Sequence, residues 1–376
     1  MTKKSKSGPF RVLLAAAAAA LALASCDNTY GVFHEIQTET SQVGTDIFKN
    51  ATVKAIGEDG LNYYAAMAKV YVRAVTGDTW SVLPVSGDSA YYCAGFASDG
   101  AGSIYVAAAG TDDATTLKGI YSTADSGATW TRLDGGEFAA KVVDALFYAN
   151  ATLFAAAHTD AETGATFDLY YYDGADFVTA GLAGLDDPVT GLVWDGSSYW
   201  AMSLGTLYAG AAPAGFAADA TGGPPASGET LRGLAVDASG NVLITTDEGL
   251  LYTYDGAAWT SDVIASGVTL GVLAEAPVDA SASAYRLLIA KHNSSNGYYE
   301  YDASTGDPLG GNDSDAVYVP TASSYTTTIY SKPVMAIYFS AAHDTILIGL
   351  AAQGTGTYAL YSNTVSGADW SGWTAE

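Results

Sequence analysis

Residues Lys118 to Trp130 read KGIYSTADSGATW. An aliphatic–tyrosine pair, Ile120-Tyr121, opens a short strand, a turn rich in Asp and Gly follows, and Trp130 begins the next strand. The same order recurs along the chain. Val70-Tyr71 leads to Asp78 and Trp80, Leu169-Tyr170 to Asp173, Gly174 and Phe177, Leu251-Tyr252 to Asp255, Gly256 and Trp259, and Leu360-Tyr361 to Gly367 and Trp370. Leu207-Tyr208 and Tyr298-Tyr299 keep the opening pair without a closing aromatic. The seven tyrosines (Tyr71, Tyr121, Tyr170, Tyr208, Tyr252, Tyr299, Tyr361) are spaced by roughly 40 to 60 residues, the period of propeller blades.

Outward from that stretch, each unit resolves into four short strands. In the second unit Tyr91–Ala97 is expected innermost, Ser103–Ala109 second after the Asp99-Gly100 turn, Lys118–Ala124 third and Thr129–Leu133 outermost. The fifth repeats the plan with Leu231–Val236, Asn241–Thr246, Leu250–Tyr254 and Ala258–Ile264. Asp-Gly turns supply the positive φ that tight hairpins demand. First strands such as Val142–Tyr148 and Val334–Phe339 are apolar nearly throughout, the pattern of strands covered on both faces. No stretch after residue 26 has helical periodicity. The expected fold is all-β, a seven-bladed β-propeller of four-stranded antiparallel blades over residues 51–376, with blades beginning near residues 51, 90, 141, 188, 230, 268 and 333. The sixth unit carries an insertion around Asp302–Ala316, and an Ala-, Gly- and Pro-rich excursion, Ala211–Gly228, separates the fourth unit from the fifth.

Composition agrees with many short strands joined by turns: 42 Gly, and 26 Tyr against 11 Phe. Forty Asp and Glu oppose 15 Lys and Arg, a net charge of −25. Such a surface repels nucleic acid and anionic headgroups, so no nucleic-acid partner is expected.

Residues 1–25 read as a secretory signal: a basic start (Lys3, Lys4, Lys6, Arg11), then an apolar run from Val12 to Ala24, too short to span a bilayer. The run ends in Leu23-Ala24-Ser25-Cys26, which resembles the lipobox of bacterial lipoproteins. That resemblance implies cleavage before Cys26, acyl chains such as palmitate on it, and attachment to a membrane of the cell envelope, on the periplasmic face or at the cell surface. Loss of the four leader cations leaves 11 cations against 40 acids, or −29. Residues 26–50 then form the lipidated cysteine and a polar tether, part of which is a candidate for closing the ring. The other cysteine, Cys93, has no intramolecular disulfide partner left and is expected to be a buried, inert thiol.

Thr123-Ala124-Asp125-Ser126-Gly127-Ala128-Thr129-Trp130 matches the Asp-box, or BNR repeat, seen in sialidases and in many non-enzymatic propellers. In those families the box lies at the blade periphery, so the resemblance implies a structural role for Thr123, Asp125, Gly127, Thr129 and Trp130. A sialidase also needs an arginine cluster that clamps a carboxylate. After the leader only Arg73, Arg132, Arg232 and Arg286 are available, and only Arg232 falls on an innermost strand.

Other chemistry is sparse. His34, His158, His292 and His343 lie too far apart for paired metal spacing, and the acidic turns Asp237–Gly240 and Asn312–Asp315 lack the ligand spacing of an EF-hand. No metal, cofactor or catalytic residue is assigned. The polar residues of the innermost strands, Asp144, Arg232 and Glu275, are the candidates for a central pocket. The expectation is a membrane-anchored extracytoplasmic module that binds or scaffolds envelope proteins or glycans. Alternatives are an Asp-box-type glycosidase and an outer-membrane assembly factor.

Overall fold

A computed structural model of the protein describes residues 47–110, 117–138, 140–159, 165–277, 285–292, 297–302, 329, 332–351, 358–366, 369–370 and 373–376. The chain divides into two units, Met1–Ser41 and Gln42–Glu376, and all described residues belong to the second. The signal segment, Cys26, His34, most of the tether, the insertion after Asp302 and the Asn312–Asp315 turn lie outside the described residues.

Every extended element is a β-strand, and the strands form seven antiparallel sheets, each built from one contiguous stretch of chain. The first strands are Ala55–Glu58, Tyr91–Ser98, Lys141–Ala149, Val189–Trp194, Leu231–Val236, Leu270–Pro277 and Val334–Ser340. Each touches the next, and the last touches the first, so they close a ring. The protein is a seven-bladed β-propeller of four-stranded blades. Among the described residues the sixth blade shows three strands, and the seventh adds a short fifth, Thr374–Ala375, beside its third.

The tyrosine phrase falls on the third strand of every blade, and its packing explains why the pair is conserved in kind along the chain. Adjacent residues of a strand point to opposite faces. Ile120 is fully buried against blade 3, while its neighbour Tyr121 is buried against blade 1. Likewise Leu169 faces blade 4 and Tyr170 blade 2, and Leu360 faces blade 1 and Tyr361 blade 6. The first residue of each pair packs on the following blade and the tyrosine on the preceding one. Seven apolar clusters result, one per interface between blades.

The closing aromatics take the tyrosine's side. Trp130 packs with Tyr121, Phe177 with Tyr170 and Trp259 with Tyr252. Blade 4, read from sequence as lacking this residue, has it: Phe216 is buried beside Tyr208, with its ring 6.1 Å from Phe154 and 6.2 Å from Tyr199. The Ala-rich stretch from residue 211 hid it, because the short outer strand Ala217–Ala218 has no apolar pattern of its own.

Ring closure uses residues placed in the tether by sequence. Phe48 is 1% exposed, with its ring against Tyr71 and, edge-on at 5.1 Å, Trp80. Ala359 N donates to Phe48 O and Val53 N to Leu350 O, stitching this segment to blade 7. Across the same seam Arg73 pairs with Glu376 at 3.1 Å, and Ser340 Oγ donates to the buried Glu58 carboxylate. Deep in the ring the backbones approach so closely that only glycine fits. A Cβ on Gly233 would lie 2.3 Å from Gly271 O of the next blade.

The corner Thr123–Trp130, which resembles an Asp-box in sequence, is hydrogen-bonded and lies on the hairpin face, the rim that carries the turns between first and second strands. Asp125 accepts from Thr129 N (2.8 Å), Thr129 Oγ1 (2.6 Å) and Thr123 Oγ1 (2.7 Å). Thr123 Oγ1 in turn accepts from Gly127 N, whose φ of 90° suits glycine, and a Cβ there would strike Leu83 at 2.6 Å. Ser126 Oγ donates to Asp59 of blade 1 at 2.6 Å, so the corner also bonds two blades together. These bonds, led by the Thr129 hydroxyl, hold the Asp125 carboxyl down at about 2.

Two outcomes follow from this packing. Gly233→Ala is expected to cost about 1–3 kcal/mol of stability as an overpacked contact, read as a lower urea midpoint; an unchanged midpoint would contradict the close approach. Asp125 is depressed below its unfolded value of about 3.9, so its contribution is present above pH ~4 and is lost as pH falls towards about 2. The Asp125→Asn variant should therefore show a flatter loss of stability than the parent between those two pH values.

Candidate functional site

The first strands are not regular where they meet the second. In blades 2, 3, 4, 5 and 7 the pairing register skips one residue: Ala94, Asp144, Thr190, Arg232 and Met335. Blade 6 skips Gly271 and Val272 against Ala290. In the five single-residue cases the bulge lies one step beyond the second-strand residue that pairs with the aliphatic member of the tyrosine phrase. A bulged residue leaves the ladder and is re-aimed. Two of the three sequence candidates, Asp144 and Arg232, thus occupy equivalent bulges, separated by Thr190 of blade 4.

Each has an internal partner. His158 Nδ1 lies 2.9 Å from both carboxylate oxygens of Asp144. Burial raises the Asp144 carboxyl above its usual range, and the bonds to His158 offset only part of that. Arg232 sits 3.8 Å from Asp247 of its own blade. Glu275 is elsewhere. It lies near the far end of its strand and accepts the Ala238 N–H from the turn of blade 5, and burial raises its carboxyl too. The three residues therefore do not line one pocket: Asp144 and Arg232 belong to one rim of the ring and Glu275 to the other. The arginines do not converge either. Arg73, Arg132 and Arg286 stand on blades 1, 2 and 6, paired with Glu376, Asp134 and Glu300. Cys93 is buried, and burial pushes its thiol up to about 12.

An open cleft of about 690 Å3 lies instead between blades 2 and 3 on the hairpin face. Its blade 2 wall is a row of directly paired residues, Tyr105, Ser122 and Thr131, running across three strands. Paired residues share a face of the sheet. One row deeper the same face carries Ala107 and Ile120, which fill the interface with Leu146 and Leu153 of blade 3. Apolar packing stops where the small hydroxyl residues begin, and that leaves the space. At the inner end the rings of Tyr105 and Tyr148 stack at 5.5 Å and 16°. Burial raises both phenols, so they remain protonated donors at neutral pH. Tyr172 flanks the blade 3 side and Pro213 reaches in from blade 4. Asp173 is the one formal charge among the lining residues.

Sequence reading passed over this cleft, because Ser122 and Thr131 look like ordinary outer-strand polar residues until pairing puts them in one row with Tyr105. The available signal was the hydroxyl residues alternating through Thr129 and Thr131 at the Asp125 corner.

No protein-family model matches the chain, and no curated protein matches it by sequence. Solved structures do. YCF48 bound to D1 peptide superposes with a TM-score of 0.54 at 13% identity, over 85% of this chain and 94% of that one. The extracellular domain of a one-component system from B. thetaiotaomicron gives 0.51 at 15% identity, over 82% of this chain and 38% of that one. PorZ, a surface component of the type-IX secretion system of Porphyromonas gingivalis, gives 0.51 at 13% identity, over 90% of this chain and 39% of that one. At these identities the likeness is one of fold, and the fold is the propeller.

The contrast between carboxylates has a spectroscopic outcome. In a carbon-detected NMR titration Asp125 should protonate near 2 and Asp144 above the ordinary aspartate range. Coincident titrations would contradict the geometry of both.

Proposed function

We propose that the chain is an exported lipoprotein, anchored through acyl chains on Cys26, whose propeller serves as a rigid binding module for a component of the cell envelope. The single observation that carries the binding reading is the contrast between ring and cleft. Asp144, Arg232 and Glu275 are held by internal partners on two different rims, whereas the cleft between blades 2 and 3 is preformed and open. Preformed concavities on a rigid scaffold bind without a large ordering cost.

The lipobox supports the anchor, and the strongly acidic chain suits a module kept clear of anionic headgroups by a tether. Among the described residues no helix is long and apolar enough to cross a membrane. Two structural neighbours, an extracellular domain and a secretion-system surface component, agree with an exported position.

The test has two parts. Cys26→Ser should move the protein from the membrane to the soluble fraction and abolish incorporation of labelled palmitate; retention in the membrane would refute the anchor. A photo-crosslinking residue at Thr131, in the cleft, should capture an envelope component in living cells, while one at Val263 on blade 5 should not. Equal labelling from both positions would refute the binding module.

A further inference from the structure

We propose that the cleft between blades 2 and 3 is a subsite for a neutral glycan chain. The inference rests on the binding-module reading and names the ligand class of that same site.

Charge comes first. The chain carries 40 acids and 15 Lys and Arg, yet the cleft is lined by a single charged residue, Asp173, at its margin. Anionic ligands such as a uronate, a sialoside or a phosphate ester are favoured by a cationic clamp, and the lining has no Lys or Arg. A cationic ligand would find denser acidic groups in the turns Asp59, Asp99 and Asp125 of the same face. The cleft is selective by offering no cation and a single carboxylate at its margin.

Surface chemistry comes second. A pyranose presents flat C–H faces edged by hydroxyls. Tyr172 and the mutually stacked pair Tyr105–Tyr148 bring aromatic rings to the lining, and tyrosine joins an apolar body to a polar tip. Ser122 and Thr131 offer hydroxyls that donate and accept alike, which matches sugar hydroxyls in either sense. A bound protein segment would call for deep apolar or arginine-receiving pockets instead, and the outer wall here is hydroxyl rather than aliphatic.

Shape comes third. The volume of about 690 Å3 falls within the range of roughly 300–1,000 Å3 for ligand sites. The lining comes from blades 2, 3 and 4 in succession, so the cleft runs along the rim and admits a chain in passage as well as a chain end.

The experiment titrates the full-length protein calorimetrically with three neutral oligosaccharides, maltohexaose, cellohexaose and chitohexaose, and with oligogalacturonate as the anionic control. At least one neutral oligomer should bind with Kd on the order of 0.1–1 mM, and oligogalacturonate should not. Tyr148→Ala should weaken binding by about tenfold. Since that variant also breaks the Tyr105 stack, Thr131→Lys on the exposed outer strand serves as the second test: it should block the cleft and abolish binding with unchanged unfolding behaviour. No binding of any neutral oligomer, tighter binding of oligogalacturonate, or binding that survives Thr131→Lys would overturn the proposal. If the Thr131 crosslinker captures a protein instead, the glycan assignment falls while the binding module stands. If neutral oligomers are cleaved, with new reducing ends, the binding-module reading falls as well.

Discussion

Every sheet in this molecule is covered on both faces by its neighbours, and the rest of the structure depends on that constraint. A sheet with one wet face alternates apolar and polar residues, whereas a blade must be apolar on both. The chain meets the requirement with two adjacent residues on each third strand, one for each neighbour. Ile120 and Tyr121 are consecutive, both buried, and belong to different interfaces. Among the described residues each blade is one contiguous stretch, and the segment before the first strand bridges to blade 7 at Lys49–Tyr358 and through the Ala359 N–Phe48 O and Val53 N–Leu350 O bonds. Closure falls to packing and a few bonds: Phe48 between Tyr71 and Trp80, worth about 1.5–3 kcal/mol as a buried aromatic, and the Arg73–Glu376 pair beside it.

The polar chemistry is organised by the hairpins. Asp59, Asp99, Asp195 and Asp237 each accept backbone N–H groups of the turn they open, and Asp125 does the same between third and fourth strands. Asp59 accepts in addition from Tyr64 and from Ser126 of the next blade. Burial alone would raise its carboxyl, but these bonds outweigh it and hold it below the usual range. The abundant acids are therefore partly structural: they close turns and join blades. Their concentration in turns also leaves the hydroxyl-lined cleft nearly free of charge.

Bulges and row pairing decide what the scaffold displays. The bulges put Asp144 and Arg232 at equivalent places on one rim, each tied to a side chain of its own blade. The row Tyr105–Ser122–Thr131 ends the apolar packing between blades 2 and 3 early and opens a concavity. A rigid frame with such an opening suits recognition, which lives in sites carried by a fold rather than in the fold itself.

By itself the sequence determined the blade and its repetition, because strand burial is written in neighbouring residues. The tyrosine phrase, the Asp-Gly corners and the apolar first strands are local signals, and all seven tyrosines sit on third strands. The Thr123–Trp130 corner was legible for the same reason: the bonds that close its own turn join residues at most four apart. What spans blades was decided only by the tertiary structure. Asp144, Arg232 and Glu275 looked alike as polar residues on inner strands, yet bulge position and strand end put them on different rims. Phe216 was hidden because a two-residue outer strand has no periodicity to read. The cleft depends on register between three strands and on the spacing of two blades, quantities set by long-range pairing that no run of neighbouring residues encodes.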